Sequence, residues 1–144
     1  MVGKRLGGRE PGLRLFGSSG IRDIFSRELL TLAFGVGLSM GGPGLRVVVG
    51  RDTRTSSPGM KYALLSGLLA SGSGAWDVGM VPTPTLAYAV RKYDAGAMVT
   101  ASHNPPRYNG LKLWNPDGSA FDSSQRARIE GMIGKGGVTV APWE

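Results

Sequence analysis

Short apolar runs alternate with capped helical segments along most of the chain, and this alternation restricts the fold more than any other feature. LRVVVG at 45–50, AWDVGMV at 75–81, AGAMVTA at 95–101 and NGLKLW at 109–114 have the length and composition of strands. Between them lie segments with helical spacing. Ser26 can cap a helix over ELLTLAFGVGL, with Leu30, Phe34 and Leu38 on one face and Gly41-Gly42-Pro43-Gly44 as its stop. Ser57 followed by Pro58 reads as an N-cap and first helical position, with Met60, Leu64 and Leu68 four apart and SGSG as the end. Thr83-Pro84 repeats that signal before LAYAVRKY, which ends in cations suited to a helix C-terminus. After the turn NPDG, Asp122 with Gln125 three residues on opens an amphipathic helix to Ile133.

Strands that alternate with helices predict an α/β fold, with a mainly parallel or mixed sheet covered by helices on both faces. Ligands of such sheets sit beyond the carboxyl ends of strands. Three loops are expected there: GSSGIR at 17–22, GRDTRTSS at 50–57 and TASHNPPRYN at 100–109. RLFGSSGIRDIF, upstream of the first helix, reads as short apolar pieces around a small-residue turn.

With 144 residues the chain suits one domain. Seventeen Lys and Arg against ten Asp and Glu give a net charge of +7, which suits nucleic acid, an anionic membrane or a phosphorylated small molecule. The basic residues are scattered and do not interleave with aromatics, against a nucleic-acid groove. The longest apolar stretch, LLTLAFGVGLSM, is interrupted by glycine and too short to span a bilayer. The absence of Cys and the single His exclude a disulfide framework and a His-rich zinc centre, and point to a reducing cytoplasm.

In TASHNPP, the strand AGAMVT delivers Ser102 to its end, and Pro105-Pro106 keeps the chain out of helix. A serine there can be a nucleophile or carry a transferred group. No G-x-S-x-G elbow is present. On an extended chain His103 would point away from Ser102, which argues against a hydrolase triad. The ordinary reading of such a loop is a turn whose Ser and Asn bond their own backbone. Lys112, between Leu111 and Leu113, would face away from their core and could meet a phosphoryl group or exchange a proton; alone, it reads as a solvated surface lysine. In GSSGIR, Ser18, Ser19 and Arg22 suit a phosphate, though a polar glycine turn fits equally. Arg51 and Arg54 flank Asp52, which could hold one of them while the other meets an anion; a salt-bridged loop is the plainer alternative. Gly35 and Gly37 lie within a helix pattern, not after a strand, so they are not a dinucleotide fingerprint.

Taken in order, LFGSSGIR, VVVGRDTRTSS and VTASHNPPRYNGLKLWNPDGSAF resemble the first domain of the alpha-D-phosphohexomutases over roughly residues 13 to 133. This family includes phosphomannomutase/phosphoglucomutase and phosphoglucosamine mutase. The resemblance implies that Ser102 is phosphorylated, donates its phosphoryl group to a hexose phosphate and recovers one from the resulting hexose 1,6-bisphosphate. It implies that Ser102 meets Mg²⁺ through its phosphate and that His103 and Asn104 arrange the loop and contact the transferring group. Lys112 and Arg22 are then the candidates for proton exchange and charge stabilisation, and Ser18, Ser19, Arg51 and Arg54 for phosphate binding.

The family's remaining signatures, a D-G-D-G-D-R type metal loop, a sugar-reading loop and an R-x-S-G-T type phosphate loop, do not occur in this sequence. Asp117, Asp122 and Glu130 are not spaced as a magnesium site and suit a turn and a helix end instead. The expected organisation is a tail at 1–12, the phosphoserine-bearing domain at 13–134 and a tail or linker at 135–144. The expected partners are hexose phosphates and the missing mutase domains on a separate chain, with neither nucleic acid nor membrane. The alternatives are a non-catalytic phosphosugar-binding or interaction module and one subunit of a split mutase.

Overall fold

A computed structural model describes residues 15–136 and 140–142. The expected N-terminal tail lies outside the described residues, as do 137–139 and 143–144 of the expected C-terminal one. The elements are β1 (Ile21–Ile24), α1 (Arg27–Met40), β2 (Arg46–Arg51), α2 (Ser57–Ala70), β3 (Gly74–Met80), α3 (Thr83–Ala89), β4 (Ala95–Val99), β5 (Tyr108–Trp114) and α4 (Ser123–Gly134). The strands form one sheet in the order β1-β5-β4-β2-β3. β2 runs parallel to β3 and β4, while β5 runs antiparallel to β4 and β1. The sheet is therefore mixed. The short connection from β4 to β5 is a loop and not a helical crossover, so it can only reverse the chain.

Both faces are covered. Val47, Val49, Ala95, Ala97, Val99, Leu111 and Leu113 join residues of α1, α2 and α4 in the larger core. The intervening Val48, Met98 and Trp114 pack with Leu86 and Val90 on the other face. Strand alternation thus sends one apolar run into two cores. Met60, Leu64 and Leu68 are fully buried, as their spacing predicts. Each such side chain contributes about 1.5–3 kcal/mol through burial.

Ser26 caps α1 by accepting from the Leu29 amide, but the helix buries Leu29, Ala33, Val36 and Met40 and not the face of Leu30, Phe34 and Leu38. The reason is the close crossing of α1 and α2. A Cβ on Gly37 would lie 2.3 Å from the Leu64 carbonyl oxygen, and one on Gly67 would lie 2.1 Å from that of Phe34. The contact therefore turns on the glycine side of α1, and Phe34 is left 36% exposed.

Two further caps differ from the sequence reading. Ser56 occupies the N-cap of α2, and Ser57 is its first residue, with its hydroxyl buried. Pro82 precedes α3, which ends at Ala89 in a 3₁₀ turn over Val90–Lys92. The capping box of Asp122 and Gln125 is complete. β1 was not anticipated. Its four residues leave three side chains partly or fully exposed, so no apolar pattern marks it. Among the described residues, no helix is long and apolar enough to cross a membrane.

Candidate active site

β4 and β5 carry the centre of the site. The loop between them begins at Thr100 and contains Ser102, whose backbone is left-handed at φ 56. A side chain in that region strains the backbone, and such strain gathers at functional positions. Ser102 is exposed, its amide donates to the Thr100 hydroxyl at 3.0 Å, and the Asn104 amide donates to the Ala101 carbonyl. The loop is therefore a tight hydrogen-bonded turn and not an extended segment. As a result the His103 side chain does not point away from Ser102: Nδ1 lies 3.3 Å from the Ser102 Oγ. Among the described residues no carboxylate bonds the imidazole, so the third member of a hydrolase triad is missing.

Leu111 and Leu113 point into the larger core, as expected, and Lys112 lies between them with its ammonium 4.4 Å from the centroid of the Trp114 ring. Arg22 of β1 stands opposite Gly110 in the register. Cross-strand partners share a face, so Arg22 and Lys112 are diagonal neighbours on the same side of the sheet. Arg22 also donates to the Asn104 side-chain oxygen at 3.4 Å, which links β1 to the Ser102 loop. The close approach of β1 requires glycine at 110, where a Cβ would lie 1.9 Å from the Ile21 carbonyl oxygen.

Ser18 and Ser19 form the tip of the turn before β1 and share a crevice with Lys112 and Arg126. Arg126 of α4 donates to the Gly17 carbonyl at 2.8 Å, and Glu130 accepts from the Leu15 and Phe16 amides at 2.6 and 2.8 Å. The turn is thus held from behind by two side chains one helical turn apart. Arg51 donates to the Asp52 carbonyl. Arg54 is ion-paired with Asp52 at 3.2 Å, and its terminal nitrogens contact the main chain of the Ser102 loop. In this way the GSSGIR and GRDTR loops both touch the Ser102 loop.

Sequence reasoning missed three parts of this arrangement. Arg126 and Glu130 lie on what the sequence presents as a solvated helix face. Asn109 is fully buried; its amide nitrogen donates to Ser56 at 2.8 Å and Ser57 at 3.1 Å, tying β5 to the start of α2. An Asn in a strand beside Gly was its only signal. Asp117 accepts the Ser119 hydroxyl and amide, which hold its carboxyl below the usual carboxylate range, and Asp122 caps α4. These two serve a turn and a helix end, while Glu130 instead holds the 15–16 backbone. Among the described residues no group of three or more His, Cys, Asp or Glu converges as a metal site.

Known proteins give the same outline. The family model for phosphoglucomutase/phosphomannomutase, alpha/beta/alpha domain I, matches residues 13–138. The "Probable phosphoglucosamine mutase" of Methanosarcina barkeri is 51% identical over 91% of this chain and 30% of its own length. The protein of the same name from Thermococcus kodakarensis is 44% identical over 90% and 30% respectively. The solved phosphoglucomutase/phosphomannomutase family protein of Burkholderia thailandensis superposes with a TM-score of 0.71 at 33% identity, covering 88% of this chain and 31% of that one. The chain spans about three tenths of the length of the curated relatives it matches.

Proposed function

The chain belongs to the phosphoglucomutase/phosphomannomutase family as its domain I, and from that premise we propose that it carries the phosphoryl group of a hexose-phosphate mutase on Ser102. The observation that carries this reading is the exposed, left-handed Ser102, held at a strand end within a loop contacted by Arg22 and Arg54. In the proposed reaction the bond between phosphorus and the Ser102 Oγ breaks as one forms to a sugar hydroxyl, and Lys112 exchanges protons between the two, giving one to the departing Oγ and taking the one that the hydroxyl loses. The resulting bisphosphate reorients and returns its other phosphoryl group to Ser102. Phosphoryl transfer of this kind needs placement and charge neutralisation more than covalent help. Arg22, beside Lys112 on the sheet, supplies fixed positive charge. Ser18 and Ser19 face the same crevice as Lys112 and suit the phosphate at the sugar's other end.

Mg²⁺ would neutralise charge on the transferring group. Among the described residues no acidic side chains converge into a cage for it. This chain's contribution would be the phosphate on Ser102, with the remaining ligands from the domains that the longer relatives possess. The same domains would read the sugar. The names of the relatives make glucosamine phosphate the first substrate to assay, and the chain is expected to turn over only with those domains.

The test is intact mass spectrometry of the chain with glucosamine 1,6-bisphosphate and Mg²⁺, with and without the remaining domains of a relative. One phosphoryl group mapped to Ser102 is expected. No label at Ser102, together with full activity of Ser102→Ala in the complemented assembly, rejects the reading in favour of a non-catalytic module.

A further inference from the structure

Arg54 spends all its donors on the chain itself. Its Nε reaches Asp52 Oδ2 at 3.2 Å. One terminal nitrogen donates to the carbonyls of Pro105 at 2.8 Å and Tyr108 at 3.1 Å. The other donates to those of Ser102 at 2.8 Å and Asn104 at 2.7 Å. A guanidinium has five N–H bonds in a fixed planar fork, so none remains for a phosphate. The side chain is only 11% exposed.

Three of these carbonyls belong to the loop that presents Ser102, and the fourth, Tyr108, is the first residue of β5, where that loop ends. Pro105 and Pro106 bring no N–H to that loop, so its own backbone can satisfy few of these oxygens. Converging carbonyl dipoles repel one another unless a cation sits among them. Asp52 braces the fork from behind, accepting also from the Arg54 amide at 3.1 Å and the Ser57 hydroxyl at 2.6 Å. Ser57 in turn accepts from the buried Asn109, so the brace runs into α2 and β5.

We propose that Arg54 is a positioning residue, the buckle that fixes the Ser102 loop, and not an anion ligand. Its consequence for phosphoryl transfer rests on the reading of Ser102 as the carrier. Its effect on the loop does not. A lysine retains the charge but offers three donors from one point, and cannot span four carbonyls and a carboxylate together.

The experiment compares the parent chain with R54K in two arms. In the first, backbone amide exchange is followed at Asn104 and Tyr108, whose N–H groups are bonded within the loop. R54K is expected to speed their exchange about tenfold or more, with Val48 and Leu64 unchanged. In the second, phosphorylation of Ser102 is timed against glucosamine 1,6-bisphosphate concentration in the complemented assembly. The saturated rate is expected to fall about 100-fold in R54K, because sub-ångström placement is lost, with the half-saturating concentration nearly unchanged. Unaltered loop exchange overturns the proposal. So does a raised half-saturating concentration at an unchanged saturated rate, which marks a phosphate ligand. Should R54K fail to fold, D52N keeps the four carbonyl bonds and loses the charged brace; a smaller increase in loop exchange supports the buckle and no increase overturns it. If the parent chain takes up no phosphoryl group, the exchange arm still decides the role of Arg54, and it is the mutase reading that fails.

Discussion

Replacing Ser102 by glycine is expected to stabilise the chain relative to replacing it by alanine, although glycine in an ordinary loop position does the opposite. Ser102 sits at φ 56, where any residue with a Cβ meets its own carbonyl. That conformation costs roughly 1–2 kcal/mol for a non-glycine residue and almost nothing for glycine. Glycine also gains freedom in the unfolded chain, which costs it about 0.5–1 kcal/mol. The difference leaves Ser102→Gly more stable than Ser102→Ala by roughly 0.5–1 kcal/mol, or about 2–4 °C in melting temperature for a domain of this size. Both variants remove the hydroxyl and both should take up no phosphoryl group, so the comparison isolates the backbone. Paired urea titrations at constant m-value measure it. Ser102→Gly falling below Ser102→Ala by about 1 kcal/mol would show that residue 102 is unstrained and that the loop does not hold its hydroxyl in a costly pose.

Three other perturbations test the frame around the site. Leu64→Ala empties a fully buried position in the larger core and should cost about 2–5 kcal/mol in urea unfolding; a loss below about 1 kcal/mol would contradict the burial of the Met60-Leu64-Leu68 stripe against the sheet. Gly110→Ala places a methyl group against the Ile21 carbonyl. It should separate β1 from β5, seen as faster amide exchange at Asp23 and Phe25, the latter donating to the Arg107 carbonyl, and normal exchange there would exclude the close approach. Asp77 is ion-paired with the buried Lys61. Partial burial pulls its carboxyl upward, but hydrogen bonds from Lys61 and the Gly79 amide and the charges of Lys61 and Arg51 outweigh this and lower its pKa. A lowered carboxylate pKa contributes stability that is fully present above the unfolded value of 3.8 and lost as pH falls through the folded value. Asp77→Asn should therefore cost about 1–3 kcal/mol at neutral pH, reduced because Asp77 is 36% exposed. The gap to the parent should close in acid below about pH 4, and a gap constant down to pH 2 would exclude this linkage.

The sequence by itself determined the layers, the buried strands β2, β4 and β5, the Met60-Leu64-Leu68 stripe and the Asp122–Gln125 cap. Each depends on spacing within one segment or on a cap beside it. It also placed Ser102 at a strand end and Lys112 opposite the core, because strand alternation is local. Only the tertiary structure decided the rest. The mixed direction of the sheet follows from β4 and β5 being joined by a loop too short for a crossover. The buried face of α1 was set by how closely α2 approaches, which no pattern in α1 records. Arg54 was legible as a cation beside Asp52, but its carbonyl partners lie about fifty residues away in sequence. The Ser102–His103 contact likewise required the left-handed turn, a backbone state that residue types alone do not specify. Long-range hydrogen bonds of this kind are formed between segments and have no signature within either one.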